Sequence, residues 1–264
     1  MTDSPVLYHQ HDSIATVTLH RPETLNAMNE AMMAELERCL MALETDPAVR
    51  VVVLTGAGQA FSAGGDQKRD RQSEGQQHWF AGDLGGGVVE RLHRCVLRLQ
   101  RLAKPVIGSI NGVAVGAGCN LALATDLRIA ADTARFGEVF ARIGLAPDGG
   151  GTYFLPRLVG TAKAMELLLL ADIIDAREAL RIGLVNWVVP ADRLPAETVT
   201  LEAQALTQAC SQTTDDLEDI IPCITRLFQN WSSERELALA FRMFEPTHVG
   251  CYGVLKEAPE ERGF

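Results

Sequence analysis

Two hydrophobic patterns alternate along the first part of the chain. Residues 14–19 (IATVTL) are β-branched or apolar and end at His20-Arg21-Pro22, which predicts a strand. Residues 30–44 carry apolar side chains at three- and four-residue spacing, which predicts a helix with one buried face. Residues 49–55 form a nearly continuous apolar run, typical of a strand covered on both faces. This order predicts a β–α–β unit.

The same alternation continues further along the chain. Apolar residues at helical spacing predict helices at 85–103, 116–124, 152–158 and 162–170. Short apolar runs bounded by turn residues predict strands at 105–110 and 127–131. Strands that alternate with helices indicate an α/β fold with a largely parallel sheet.

The last quarter of the chain has a different pattern. From about Ala191 onward glycines and β-branched runs become sparse, and residues 196–209 and 233–243 have a helical pattern. We therefore predict two regions, a core over residues 1–195 and a helical region over 196–264. No low-complexity linker separates them in the sequence.

Charge and composition exclude several classes of protein. The chain has 264 residues with 24 Lys and Arg against 34 Asp and Glu, and its net charge of −10 disfavours nucleic acid and anionic lipid. Its six cysteines form no C-x-x-C pair, and no basic segment followed by an apolar stretch occurs at the start. The apolar stretch at 162–171 is interrupted by Lys163 and Glu166, and a membrane helix needs about 20 apolar residues. We expect a cytoplasmic protein with reduced thiols.

Three familiar catalytic motifs are incomplete or missing. Gly56-Ala57-Gly58 follows a predicted strand, but a dinucleotide fingerprint would need a glycine where Phe61 stands and an acidic residue near Gln76. The sequence has no G-x-S-x-G, which argues against a serine hydrolase of the α/β type. His9 and His11 have no metal-ligand spacing and are interpreted as surface residues of a mobile N-terminus, so we predict no metal site.

Three glycine-rich loops remain, at 60–66, 111–120 and 147–152. Glycine lets a ligand approach the backbone closely, and the second loop directs its N–H groups toward the start of a helix. Two such loops can converge on one developing oxyanion. Each can equally be a tight turn packed under a helix.

The loops and their neighbours resemble the crotonase (enoyl-CoA hydratase/isomerase) superfamily. The resemblance rests on HRPETLNAM at 20–28, FSAGGD at 61–66, KPVI and NGVAVGAG within 104–118, and GLAPDGGGT with LPR within 144–157. It spans residues 5–195 in unbroken order. It implies a crotonase-like spiral of ββα units, a helical C-terminal trimerisation part, a trimer or hexamer, and an acyl-CoA substrate.

The resemblance also implies site residues. The two backbone N–H groups that hold the thioester oxygen correspond to Gly65 and Ala117. Contacts to CoA are implied for one set of positions: Thr24, Ala27, Ala63, Asp66 and Lys68. No cofactor is implied beyond the CoA moiety of the substrate itself.

Two positions depart from the hydratase pattern. Members that hydrate enoyl-CoA carry two glutamates, and those positions hold Asn120 and Phe140 here. Neither side chain can act as a general base, which disfavours the two-glutamate mechanism. Asp148 matches the lone aspartate of isomerases that move a double bond between the β,γ and α,β positions, a group that includes a ring-opening enzyme for an aromatic-pathway CoA ester. We therefore expect an enoyl-CoA isomerase.

Four different interpretations stay open beside this one. Asp148 also suits a turn in Pro-Asp-Gly-Gly. The same position matches the nucleophilic aspartate of an aryl-CoA dehalogenase branch, with His93 as its base, although that branch has tryptophan where Phe140 stands. Glu138 is a candidate base for an atypical hydratase. A non-catalytic relative that binds acyl-CoA or RNA is the fourth interpretation, and the acidic charge disfavours its RNA version.

Overall fold

The computed structural model describes residues 4–66 and 87–210. Within these ranges the strands are β1 (Val6–His11), β2 (Ile14–Leu19), β3 (Val51–Gly56), β4 (Ala60–Ser62), β5 (Val106–Ile110), β6 (Val113–Val115), β7 (Leu127–Ala131), β8 (Arg135–Gly137), β9 (Ile174–Asp175) and β10 (Trp187–Val189). The α-helices are α1 (Glu30–Thr45), α2 (Val88–Arg101), α3 (Ala117–Leu123), α4 (Gly151–Val159), α5 (Thr161–Leu170), α6 (Ala176–Arg181) and α7 (Leu194–Cys210). Short 3₁₀ helices span Pro22–Thr24 and Val139–Ile143.

The larger sheet has six strands in the order β1-β2-β3-β5-β7-β10. Every neighbouring pair is parallel except β1 and β2. The central strand β5 is buried along its whole length, because helices cover the sheet. The predicted α/β fold with a largely parallel sheet is confirmed, and the predicted strands at 14–19 and 127–131 have the bounds found here.

A second sheet of four strands, in the order β4-β6-β8-β9, was not predicted strand by strand. The strands β4, β6 and β8 each follow a strand of the larger sheet, so the chain passes repeatedly from one sheet to the other. At two of these crossings the backbones come so close that a side chain would clash, so glycine is required. A Cβ on Gly56 would lie 2.2 Å from the Ala60 carbonyl oxygen, and a Cβ on Gly112 would lie 2.0 Å from the Gln59 carbonyl oxygen. The expected spiral of ββα units is therefore present.

The N-terminal interpretation was wrong in one respect. His9 and His11 are exposed, as expected, but they belong to β1, which pairs antiparallel with β2 over six residues. Val6 at the start of β1 is buried, and this burial together with the strand pairing orders the segment.

The described residues up to Ala203 belong to one compact unit, and a second begins at Gln204. Thr198 of α7 lies with its hydroxyl 3.0 Å from that of Ser109 on β5, so the first turns of α7 pack on the core of the first unit. The helix predicted at 233–243 lies outside the described residues, and the boundary at residue 195 stays a prediction. No helix in the described part of the chain is long and apolar enough to cross a membrane.

Candidate active site

The N–H group of Gly65 is left free by the way the first glycine loop pairs with residue 28. The Met28 N–H donates to the Gly64 carbonyl at 2.7 Å, and the Asp66 N–H donates to the Met28 carbonyl at 2.9 Å. This is a parallel bridge in which Met28 bonds both neighbours of Gly65. In that pattern the N–H of Gly65 itself points away from Met28. It donates to no acceptor among the described residues.

The N–H group of Ala117 lies at the start of α3. Gly116 has φ of 55° and ψ of −129°, so the chain turns sharply into the helix there. The first hydrogen bond within the helix runs from the Asn120 N–H to the Gly116 carbonyl at 3.0 Å. The Ala117 N–H lies three residues before this donor, in the first turn of the helix. The N–H groups of that turn have no partner inside the helix.

The two loops touch through their backbones. A Cβ added to Gly64, which has φ of 84°, would lie 2.8 Å from the Val115 carbonyl oxygen and 3.4 Å from the Ala117 nitrogen. A Cβ on Gly118 would lie 2.4 Å from the Ser62 carbonyl oxygen. Only glycine permits this approach at both positions. The amides of Gly65 and Ala117 therefore flank one contact between loops.

Asn26 connects the segment before α1 to the first glycine loop, and sequence analysis missed it. It is fully buried with φ of 55°. Its side-chain amide donates to the carbonyls of Ala57 at 2.8 Å and Ala60 at 2.7 Å, and its Oδ1 accepts from the Arg21 N–H at 2.9 Å. A buried side chain with three hydrogen bonds fixes this segment firmly. Asparagine tolerates the left-handed backbone, which is the signal that was available in the sequence.

Four of the predicted CoA-binding residues lie in these connected segments. The carboxylate of Asp66 forms an ion pair with Arg21 at 3.0 Å, and Arg21 also donates to the Ala27 carbonyl at 2.6 Å. Thr24 donates its hydroxyl to the Arg21 carbonyl at 3.1 Å, and the Ala63 N–H donates to the Leu25 carbonyl at 2.9 Å. The fifth predicted residue, Lys68, lies outside the described residues.

A cleft of about 430 Å³ opens beside Asp66. It is lined by the start of α1, the end of the first glycine loop and the start of α2: Met28, Asn29, Glu30, Ala31, Ala34, Asp66 and Val88. The lining is apolar at Met28, Ala31, Ala34 and Val88. Asn29, Glu30 and Asp66 add polar groups, and an apolar lining with a few polar groups is the usual composition of a site for a small organic ligand.

Asp148 lies in the third glycine loop with one carboxylate oxygen unpaired. The side chain is partly buried, and its Oδ1 is buried without a hydrogen-bond partner among the described residues. Burial raises the pKa of this carboxyl to about 6, while a hydrogen bond from its own backbone N–H acts in the opposite direction. The group is thus mostly a carboxylate at neutral pH, with one oxygen that no described residue occupies.

Asn120 holds the backbone of Asp148. It has no exposed surface, and its side-chain amide donates to the Asp148 carbonyl oxygen at 2.9 Å. Because Asn120 lies three residues after Ala117 on α3, one short helix carries both the free amide and the side chain that positions Asp148. Phe140 is 5% exposed, and its ring packs near Gly116. These two residues give the site structure rather than acid–base groups.

Glu138 lies in the interior directly before the 3₁₀ helix Val139–Ile143. It is 2% exposed, and neither carboxyl oxygen has a hydrogen-bond partner among the described residues. Burial, and to a smaller degree the charge of Asp148, raise the pKa of Glu138 to about 7. The Cys119 thiol and the Asn120 amide lower it, although neither makes a hydrogen bond of good geometry with the carboxyl group.

His93 is not brought to Asp148. It is exposed on α2, and its side chain makes no hydrogen bond with any residue in 4–66 or 87–210. Its neighbour Leu92 is the α2 residue that faces the third loop, since a Cβ on Gly149 would lie 3.2 Å from it. One residue further along a helix is a rotation of about 100°, which turns His93 to another face.

The chain matches a family model described as enoyl-CoA hydratase/isomerase over residues 9–243. The chain belongs to this family. The resemblance drawn from the sequence motifs is thereby confirmed, together with the fold class. The family acts on acyl-CoA substrates.

Relatives within the enoyl-CoA hydratase/isomerase family carry both kinds of name. The 1,2-epoxyphenylacetyl-CoA isomerase of Escherichia coli K12 is 43% identical over 202 residues, which are 76% of this chain and 75% of that protein. The crotonyl-CoA hydratase of Syntrophomonas wolfei is 36% identical over 204 residues, 77% of this chain and 76% of that protein. The solved structure of a monofunctional enoyl CoA isomerase from M. smegmatis has 36% identity and a TM-score of 0.66, covering 89% of this chain and 98% of that one. Family membership alone therefore leaves the reaction to be argued from the site.

Proposed function

We propose that this protein isomerises enoyl-CoA thioesters by moving a double bond from the β,γ to the α,β position. Asp148 takes a proton from C2 and returns it to C4 of the same allylic system. The observation that carries the proposal is the buried, unpaired Oδ1 of Asp148. The backbone of Asp148 is held by Asn120, which stands at a position where hydratases have a glutamate. One carboxylate suffices for this reaction, because the same proton is removed and replaced.

The free amides of the two loops suit the intermediate. Removal of a proton from C2 gives an enolate whose negative charge lies on the thioester oxygen. The N–H groups of Gly65 and Ala117, which flank the contact between the loops, are the donors we assign to that oxygen. Preorganised donors of this kind can contribute about 3–4 kcal/mol each to stabilising the transition state.

The raised pKa of Asp148 supports its role as the base. A base works best when its pKa lies near the working pH, because it is then both ionised and basic enough to take the proton. With a pKa of about 6, Asp148 is mostly ionised at neutral pH and is a stronger base than an ordinary aspartate. We therefore expect kcat/KM to rise with pH through this value.

We assign CoA binding to the segments fixed by Asn26. Thr24, Ala27, Ala63 and Asp66 lie beside or within them, and Lys68 follows directly in the sequence. The ion pair with Arg21 neutralises the carboxylate of Asp66 in the cleft lining, which lowers the repulsion of an anionic nucleotide. No cofactor besides the CoA part of the substrate enters the proposal.

The test is incubation with a panel of 3-enoyl-CoA esters, both aliphatic and ring-containing, with the products separated and identified. We expect the 2-enoyl-CoA isomer from at least one of them. In deuterated water, we would look for C2 hydrogen that is transferred to C4 without being fully replaced by deuterium from the solvent. Such transfer would indicate that one base both removes and returns the proton. Failure to isomerise any member of the panel would overturn the proposal.

We expect very weak hydration of crotonyl-CoA. Asn120 and Phe140 supply no acid or base, and each lost proton transfer costs about 10²–10⁴ in rate. The measurement is the loss of the enoyl thioester absorbance, with a two-glutamate hydratase as the reference. Turnover comparable to that hydratase would contradict the assignment and point to Glu138 as the base of an atypical hydratase.

A dehalogenase and a non-catalytic binding protein both have less support from the structure. A dehalogenase of the nucleophilic aspartate type needs a histidine base, and His93 faces away from Asp148 on α2. A non-catalytic binding protein has no need for a partly buried carboxylate with an unpaired oxygen. Product analysis on the same panel distinguishes both from an isomerase.

We expect the protein to be a trimer or a dimer of trimers. Large apolar side chains are exposed near the end of α5, where Leu169 is 66% and Leu170 is 62% exposed, and they favour self-association. Light scattering at micromolar concentration should give at least three times the chain mass of 28.7 kDa. A monomeric mass would contradict this expectation.

A further inference from the structure

Behind the proposed site lie buried polar atoms that have no hydrogen-bond partner among the described residues. They are both carboxyl oxygens of Glu138 and the Oδ1 of Asn120. All three are acceptors when Glu138 is ionised. Buried polar atoms are rarely left unpaired, so this group calls for a physical explanation.

We propose that Glu138 is a positioning residue that works in its protonated form, donating its O–H to Oδ1 of Asn120, which in turn holds the backbone of Asp148. This inference rests on the proposed isomerase function of Asp148. The structure supplies the second link of the chain directly, in the 2.9 Å hydrogen bond from the Asn120 amide to the Asp148 carbonyl. A single proton on Glu138 then pairs two of the three atoms, one carboxyl oxygen as the donor and Oδ1 of Asn120 as the acceptor.

The surroundings of Glu138 favour the neutral acid. It borders a small void whose other walls are apolar side chains and a thiol: Cys119, Phe136, Leu155, Leu167, Ile174 and Leu184. Neither carboxyl oxygen of Glu138 has a charged or polar partner among the described residues. A buried charge without a partner is strongly unfavourable, so the group keeps its proton to a higher pH than an exposed glutamate.

The titratable neighbours are few. Cys119 on α3 is buried, and burial raises the pKa of its thiol well above the ordinary value, so it stays neutral. Arg128 on β7 is directed at the carbonyls of Thr125 and Leu184. Asp148 is the charged group whose field acts on Glu138.

Ionisation of Glu138 would therefore affect Asp148 in two ways. Loss of the proton removes the only donor we assign to Asn120 Oδ1, and it adds a second negative charge near the catalytic carboxylate. Since Asp148 must be ionised and Glu138 protonated, kcat/KM should rise with pH near 6 and fall again above about 7. The two apparent pKa values of this profile belong to the coupled pair of carboxyl groups rather than to either residue alone.

The test compares the pH profile of kcat/KM for wild type and Glu138→Gln, on a 3-enoyl-CoA that the wild type isomerises. Glutamine has nearly the same shape, and its amide donates at every pH. We expect the alkaline decline of kcat/KM to disappear in the variant. Since the wild-type decline is expected to begin near pH 7, kcat/KM of the variant should exceed that of the wild type by roughly 10–30-fold at about pH 8.5. An alkaline decline of the same position and depth in Glu138→Gln would overturn the proposal.

Two further variants separate positioning from packing. Glu138→Leu fills the space but has no donor, and we expect a lower kcat with a KM close to that of the wild type. Leu167→Val changes the wall of the same void but no polar group. The acidic rise and the alkaline decline of kcat/KM should both remain in this variant. Wild-type rates in Glu138→Leu would also overturn the proposal.

Infrared titration of the protein without substrate makes the result independent of the reaction. The carboxylic-acid C=O band should persist at about pH 6.5 in Asp148→Asn and vanish when Glu138→Gln is added. If no 3-enoyl-CoA is isomerised but this band is present, the proposed function fails while the protonated Glu138 stands. If the band is absent, the inference about Glu138 fails by itself.

Discussion

Asp148→Asn is expected to lower kcat for isomerisation of a 3-enoyl-CoA by at least about 10²-fold and by as much as about 10⁴-fold. The change keeps the size of the side chain and its suitability for a turn, but it removes the basic oxygen. The hydrogen bond from Asn120 goes to the main-chain carbonyl of residue 148 and is therefore preserved. We expect KM and the thermal midpoint to stay close to the wild-type values.

The control is the same chemical change at an exposed aspartate, Asp192→Asn, which should leave kcat and KM as they are. A turn-forming aspartate without a catalytic role would also tolerate asparagine, because both residues suit turns. Near wild-type rates in Asp148→Asn, on every ester that the wild type isomerises, would therefore remove Asp148 from the mechanism. The dehalogenase hypothesis would be lost with it, since it needs the same carboxylate.

The short helix α3 links the two halves of the proposed mechanism. Its first residue, Ala117, offers a free amide, and Asn120 in the same turn holds the backbone of Asp148. All seven residues of α3 are buried, so the helix has little freedom to shift against its surroundings. In the proposed mechanism, this one buried helix therefore carries an oxyanion donor and also holds the backbone of the base.

The long elements of the fold could be predicted because each carries its own periodic signal. Strands β2 and β7 and helix α1 have five or more residues with a clear pattern, and their predicted bounds agree closely with the structure. The second sheet has strands of only two or three residues. A run this short has no measurable period, and its strand character comes from pairing with distant segments.

Prediction of the site from the sequence was limited in the same way, because contacts between distant segments leave no local signal. Asp148, Asn120 and Phe140 could be singled out because the motifs of the family mark their positions. The environment of Glu138 could not be read from the chain, because its burial depends on α4, α5 and β9 folding around it. The ion pair of Asp66 with Arg21 likewise joins residues 45 positions apart, and only the tertiary fold brings them together.

Ala117→Pro is expected to lower kcat by about 10²–10³-fold, the effect of removing one oxyanion donor. Ala117 is the first residue of α3, a position where proline fits the helical backbone and where the missing N–H breaks no helical hydrogen bond. The proline ring also places a methylene group where the enolate oxygen would bind. Both changes act on the intermediate, so kcat should fall much more than CoA affinity, measured by competition with free CoA.

The matched variant is Ala117→Gly, which keeps the N–H and removes only a methyl group. We expect it to retain kcat within a few-fold, because the donor is a backbone group that every residue except proline provides. Circular dichroism and the thermal midpoint show whether Ala117→Pro is folded before its rate is interpreted. A folded Ala117→Pro protein with the kcat of Ala117→Gly would show that the enolate oxygen is held elsewhere, and the pairing of Gly65 with Ala117 as its donors would be wrong.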